Sequence, residues 1–251
     1  MDADDMLAFY ERWPSLFSPV RAEFKVKSAN KIVAVGYGAS LIPLMMVSEL
    51  LEEGKVKVLH PGQMPTLMEQ DALFMAVSHS GDTVETVNAL EAAKRLGYSC
   101  ISVGGGGMLE RTSRELGVEH VKISTAPTSR LGLPYLLSGI TPIVDYVLGT
   151  DLTLKFQRMF EGISREMASI GAEAKALAEF EGGSSYMGLF YSSKVESAAY
   201  RFRYVLSENA KVHSIFENIM EVAQYGLTAW ERSYGLPVFM IRSDEDDELT
   251  R

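Results

Sequence analysis

Short apolar runs alternate with helical stretches over the first 150 residues. The runs Lys31–Gly36, Lys55–His60, Leu73–Ser78, Cys100–Gly104 and His120–Ser124 are rich in Val and Ile and show little polar alternation. A strand with one wet face alternates, whereas a strand covered on both faces reads as an unbroken apolar run. Between the runs, Ala39–Glu53, Thr83–Leu96, Met108–Leu116 and Leu131–Leu148 follow helical spacing, and Ala3–Arg12 opens the chain as an amphipathic helix. Strands separated by helices predict parallel pairing through right-handed crossovers, hence a doubly wound α/β domain ending near Gly149.

A long helix is predicted next, over Leu152–Phe180. Leu152, Phe156, Met159, Ile163, Met167, Ile170, Ala174 and Leu177 recur every three or four residues, and Gly182 and Gly183 end it. The pattern then restarts with strand Met187–Tyr191, helix Val195–Ser207, strand Val212–Phe216, helix Asn218–Arg232 and strand Pro237–Arg242. The acidic stretch Ser243–Leu249 predicts the beginning of a further helix. The expected organisation is a first domain over 1–150, a connecting helix over 151–183 and an abbreviated second α/β domain over 184–251.

Composition narrows the function classes. The 251 residues carry 33 acidic and 24 basic side chains, a formal charge of −9, and no cluster of Lys and Arg that would serve nucleic acid. No apolar run approaches the ~20 residues of a membrane span, and the Met-Asp-Ala-Asp-Asp start is acidic where a secretory signal is basic. The single cysteine, Cys100, excludes a disulfide framework within the chain and fits a reducing compartment. The expectation is a cytoplasmic protein with neither membrane nor nucleic-acid partner.

In an open parallel sheet, ligands bind beyond the carboxyl ends of the strands. After the first strand comes Gly36-Tyr37-Gly38-Ala39-Ser40, where glycine lets the backbone approach an anion and Ser40 adds a hydroxyl. A dinucleotide site would need a third glycine where Leu41 stands and an acid where His60 stands. After the third strand comes Ser78-His79-Ser80-Gly81-Asp82-Thr83, directly before a helix. Its hydroxyls, glycine and helix N-terminus suit a phosphate monoester without requiring net positive charge. In a purely structural reading, Asp82 or Thr83 caps the helix and the serines are turn residues.

Gly-x-Gly-x-Ser after strand one and Ser-x-Ser-Gly-x-Thr-x-Glu-Thr over Ser78–Thr86 resemble a sugar isomerase (SIS) domain. Pro127-Thr128-Ser129-Arg130 and Ser207-Glu208-Asn209-Ala210-Lys211 resemble motifs of the archaeal-type bifunctional phosphoglucose/phosphomannose isomerases. The resemblance spans about residue 30 to 243, in order. It implies two SIS-type, flavodoxin-like doubly wound domains, the second abbreviated, and a homodimer. It further implies that Gly38, Ser40, Ser78, Ser80, Gly81 and Thr83 hold the phosphate of a hexose 6-phosphate, with Arg130 beside them. Glu208 is then the base that moves a proton between C1 and C2 through an enediol(ate). Such chemistry is proton transfer and calls for no cofactor.

Two segments depart from the family pattern. Asp82 replaces an Asn, and Gln224-Tyr225-Gly226 stands where the family has a His-Asn-Glu triplet whose histidine helps open the sugar ring. Among the four histidines, His79, His60 and His120 fall at positions unsuited to that task, which leaves His213 as the candidate substitute. No pair of these residues has metal-ligand spacing, so no metal is expected. The resulting expectation is aldose–ketose isomerisation of fructose 6-phosphate with glucose or mannose 6-phosphate. The alternative is a non-catalytic, regulatory phosphosugar-binding protein.

Overall fold

The computed structural model describes residues 2–26, 28–232 and 234–246. It divides into two compact units, Met1–Glu166 and Met167–Arg251.

In the first unit, β1 (Lys31–Gly36), β2 (Val56–Leu59), β3 (Ala72–Ser78), β4 (Ser99–Gly104) and β5 (Glu119–Lys122) pair in parallel in the order β2-β1-β3-β4-β5. Every residue of β3 is buried, as are five of six in β1 and β4, which is why these segments read as unbroken apolar runs. Ile32, Ala34 and Val35 in β1, and Leu73 to Val77 in β3, are fully enclosed between two helical layers. The helices are α1 (Ala3–Glu11), α2 (Trp13–Leu16), α3 (Leu41–Glu49), α4 (Val84–Arg95), α5 (Gly107–Glu115) and α6 (Leu133–Leu148). This strand order is the flavodoxin-like one, whose switch point lies between β1 and β3. The motif turns with Ser40 and Ser78 follow those two strands. Cys100 is a buried residue of β4 whose thiol donates to the Tyr98 carbonyl, and burial pushes its pKa up to about 11.

Helix α6 ends at Gly149 in the left-handed conformation. Asp145 then accepts the backbone N–H of Leu152 and Thr153 and the Thr150 hydroxyl, so the end of one helix caps the start of the next. That next helix, α7 (Leu152–Glu181), buries Leu152, Phe156 and Phe160, and Phe160 stacks on Phe17. Farther along, Ile170 and Leu177 of the expected apolar stripe are exposed. Periodicity thus predicted the helix, while burial is confined to its beginning.

In the second unit, β6 (Tyr186–Tyr191), β7 (His213–Asn218) and β8 (Val238–Ile241) form a parallel sheet in the order β7-β6-β8. Met187 to Tyr191 are buried, while the flanking strands are partly wet. Helix α8 (Glu196–Val205) widens into a π-helical turn over Leu206–Ala210 in place of the expected α-helical end. The helix expected over Asn218–Arg232 is α9 (Ile219–Gln224) followed by a 3-10 stretch, Gly226–Glu231. Residues 243–246 form a turn fastened by the Asp246 carboxylate, which accepts the Ser243 N–H and Arg242 Nε. That turn replaces the expected helix start, and the rest of that segment lies outside the described residues. Tyr200 packs on Tyr191 and Phe216, whereas Phe202 meets Phe239. These aromatic side chains leave α8 in different directions and form no stacking platform.

Candidate functional site

The site of the first unit is built where β1, β3, β4 and β5 end. A 3-10 turn, Gly38–Ser40, follows β1 and packs against a second one, Ser129–Leu131, which carries Arg130. The Ser40 hydroxyl accepts the His79 backbone N–H at 3.0 Å, joining the β1 turn to the serine loop after β3. Within that loop, the Ser78 hydroxyl lies 2.9 Å from the Thr83 hydroxyl and accepts the Gly81 N–H, while the Ser80 hydroxyl accepts the Asp82 N–H. Ser40, Ser78 and Gly81 are buried, Thr83 and Arg130 are half-buried, and Ser80 and Gly38 are exposed. Ser40, Ser78, Ser80, Gly81, Thr83, Gly38 and Arg130 are therefore brought into one cluster of turns.

In the structural reading the serines serve the turn, which they do through the Gly81 and Asp82 N–H groups, whereas the capping differs. Thr83 occupies the N-cap position of α4 but makes no side-chain cap bond there, because its hydroxyl is directed to Ser78. Asp82 reaches across to the next helix, where its Oδ1 accepts the Met108 N–H at 2.9 Å in the first turn of α5. The opening turn of α4 thus lacks a side-chain cap, and its N–H donors face the same end of the sheet as the serine hydroxyls. A helix start of this kind attracts an anion through partial positive charge and directed donors.

The serine loop rests on Gly104–Gly107, whose role the sequence did not disclose. Gly81 has φ +80°, and a Cβ there would stand 1.9 Å from the Gly106 carbonyl oxygen. The Leu109 N–H donates to the Gly81 carbonyl and the Gly105 N–H to the His79 carbonyl, so the two loops are bonded backbone to backbone. Glycine at 81 is required twice over, by conformation and by closeness.

His79 stands between Ser78 and Ser80 in this loop. Its ring is buried, and Nε2 accepts the Ala126 N–H at 3.0 Å. Burial pulls its pKa below the ordinary histidine value. His120 is likewise lowered by burial, with Nδ1 2.8 Å from the Ser102 hydroxyl, while His60 is exposed on the loop after β2. The unfolded chain therefore takes up protons on these rings more readily than the folded one. Stability is present in full above about pH 6.5 and falls as pH drops from there towards the lower folded values. Glu69, lowered by hydrogen bonds from Lys31 and Lys57, loses its contribution only at more acid pH. Calorimetric Tm is expected to decline between about pH 6.5 and 5, and His79→Gln to remove part of that slope. A wild-type Tm flat over this range would contradict the assignment.

In the second unit, Glu208 lies in the π-helical turn Leu206–Ala210 and is exposed. Lys211 follows with φ +61°, a left-handed conformation uncommon for a residue with a side chain, and its Nζ donates to the Glu208 carbonyl at 2.8 Å. Val212 N–H closes the turn onto the Leu206 carbonyl. Turns of this π type frequently mark functional positions. His213 opens β7 immediately afterwards. It is exposed rather than inward, and its ring stacks on Tyr186 with centroids 5.6 Å apart. Gln224 is exposed at the end of α9. Among the described residues, no group of three or more His, Cys, Asp and Glu side chains is placed to hold a metal ion, and no helix is long and apolar enough to cross a membrane.

The strand order and the serine loop at its switch point define an SIS-type α/β fold. Comparison with known proteins agrees. Across 100% of this chain and 79% of the other, the fold superposes on the C-terminal domain of glucosamine-fructose-6-phosphate aminotransferase from Francisella tularensis, with a TM-score of 0.69 at 18% identity. Residues 170–251 match the family described as the bacterial phospho-glucose isomerase C-terminal SIS domain. The chain is 28% identical over 211 residues to the bifunctional phosphoglucose/phosphomannose isomerase of Thermoplasma volcanium, covering 82% of this chain and 66% of that one. It is also 26% identical over 255 residues to a D-glucosamine-6-phosphate 4-epimerase of Sulfolobus acidocaldarius, covering 96% of this chain and 78% of that one. The chain is thus similar, below 30% identity, to several bifunctional phosphoglucose/phosphomannose isomerases, and its residues 170–251 match an SIS domain.

Proposed function

We propose that the protein interconverts a ketose and an aldose hexose 6-phosphate, fructose 6-phosphate with glucose 6-phosphate or mannose 6-phosphate. The observation that carries this reading is the serine loop beside the uncapped first turn of α4, with the Ser40 and Arg130 turns packed together next to it. The phosphate rests on the hydroxyls of Ser40, Ser78, Ser80 and Thr83 and on the backbone at Gly38 and Gly81. Arg130 neutralises charge on the phosphate or on the developing enediolate. Glu208 takes the proton from C1 of the ketose and returns it at C2 of the aldose. His213, in the same segment as Glu208, is the candidate for proton exchange during ring opening. A phosphate anchor remote from the reacting carbons lets binding energy hold the sugar for proton transfer. The similarity to a sugar-phosphate isomerase and a sugar-phosphate epimerase supports a phosphosugar substrate.

The protein acts in this reading as a cytoplasmic homodimer, without a cofactor. The exposed apolar residues Ile215, Val238 and Met240 on the outer strands of the second sheet support association. Gln224, at the position of the family histidine, favours the second reading, a phosphosugar-binding protein that does not turn substrate over. A coupled assay separates the two. Fructose 6-phosphate is expected to yield glucose 6-phosphate or mannose 6-phosphate and to raise Tm. A raised Tm without product would support the binder, and neither effect would remove the phosphosugar assignment.

A further inference from the structure

We propose that His79 is a positioning residue that fastens the Arg130 loop and the Ser40 turn to the serine loop, and so sets the geometry of the phosphate site. This rests on the phosphosugar reading above. Three bonds through this one residue join segments far apart in the chain. Its backbone N–H donates to the Ser40 hydroxyl, its carbonyl accepts the Gly105 N–H, and its ring Nε2 accepts the Ala126 N–H at 3.0 Å.

The ring bond is the distinctive one. Ala126 belongs to the loop between β5 and the turn Ser129–Leu131, and that turn presents Arg130. Gly132, at the end of the same turn, leaves room for the imidazole: a Cβ there would sit 2.2 Å from His79 Cδ2 and 2.4 Å from Nε2. The ring is therefore held in a slot made by the loop it bonds. Because Nε2 accepts, the proton of the neutral ring resides on Nδ1. The contact requires an acceptor at that reach, which glutamine supplies through its amide oxygen. Leucine fills the space without an acceptor, and asparagine carries one on a shorter side chain. On the other side of the Arg130 turn, the Trp13 indole N–H donates to the Leu131 carbonyl at 3.1 Å, so the turn is held from two directions.

The test compares His79→Gln, His79→Leu and His79→Asn with the wild type by titration calorimetry against fructose 6-phosphate, with the Tm of each variant recorded. One lost hydrogen bond to the loop is expected to weaken binding about tenfold in the Leu and Asn variants, while Gln restores affinity to within about threefold of wild type. In turnover, the loss is expected in KM with kcat little changed, since the anchor binds ground state and transition state alike. Asn serves if Leu does not fold. Wild-type affinity in Leu or Asn, or a loss in Gln equal to theirs, would overturn the role of His79 while leaving the phosphosugar reading intact. Absence of binding in the wild type would overturn that reading, and the positioning role with it.

Discussion

Glu208→Gln is expected to lower kcat for fructose 6-phosphate by about a hundred- to ten-thousand-fold, the usual worth of a positioned general base. KM should change little, because the proposed phosphate anchor is made by residues of the first unit, around Ser40, Ser78 and Arg130, and is untouched by the substitution. Glutamine keeps the size and hydrogen-bonding capacity of the side chain but cannot take the proton. The π-helical turn is closed by backbone and Lys211 contacts, Val212 N–H to the Leu206 carbonyl and Lys211 Nζ to the Glu208 carbonyl, neither of which uses the carboxylate. The variant should therefore keep this turn, and its Tm is recorded beside that of the wild type. Steady-state kinetics with both proteins at matched concentration reads the effect. A Glu208→Gln enzyme retaining more than about a tenth of wild-type turnover would remove Glu208 from the role of base.

The second large effect is expected at Gly81. An alanine there must hold φ near +80° and place its Cβ 1.9 Å from the Gly106 carbonyl oxygen, a backbone atom that cannot swing aside. Left-handed strain and overpacking each cost about 1–3 kcal/mol, so the substitution is expected to destabilise the first unit by roughly 3 kcal/mol. That corresponds to a Tm lowered by roughly 6–12 °C at this chain length. Relief requires the serine loop and the Gly104–Gly107 loop to separate, which would break the Leu109 to Gly81 and Gly105 to His79 backbone bonds. Fructose 6-phosphate should then no longer raise Tm. A Gly81→Ala protein with unchanged Tm and an undiminished ligand response would show that the contact between the loops is dispensable.

The strands were legible because both faces of β1, β3 and β4 are covered, which leaves an unbroken apolar run as the only workable composition. The serine loop was legible by its density of hydroxyls next to a helix start. Its internal wiring was not. Asp82 resembles a cap for its own helix, and only the folded sheet brings the start of α5 within its reach. His79 is an ordinary loop residue until Ala126, 47 positions later, is folded against it. The four glycines Gly104–Gly107, the first of which ends β4, carry no local pattern beyond flexibility, since their purpose is the close passage of another loop. In the second unit, helical periodicity located α8 but not the π-turn, because a single extra residue in one turn leaves the spacing of the apolar positions almost unchanged. The Lys211 conformation was equally hidden, for lysine gives no signal of a left-handed turn.

The central claim is that this chain moves a proton between C1 and C2 of a hexose 6-phosphate through Glu208. Its most direct test is conversion of fructose 6-phosphate in D2O, followed by NMR of the aldose product. The enediol(ate) route predicts solvent deuterium at C2 of the product made by the wild type, and neither product nor exchange with Glu208→Gln. No product and no exchange in the wild type, with fructose 6-phosphate still raising its Tm, would contradict catalysis and leave a phosphosugar-binding protein.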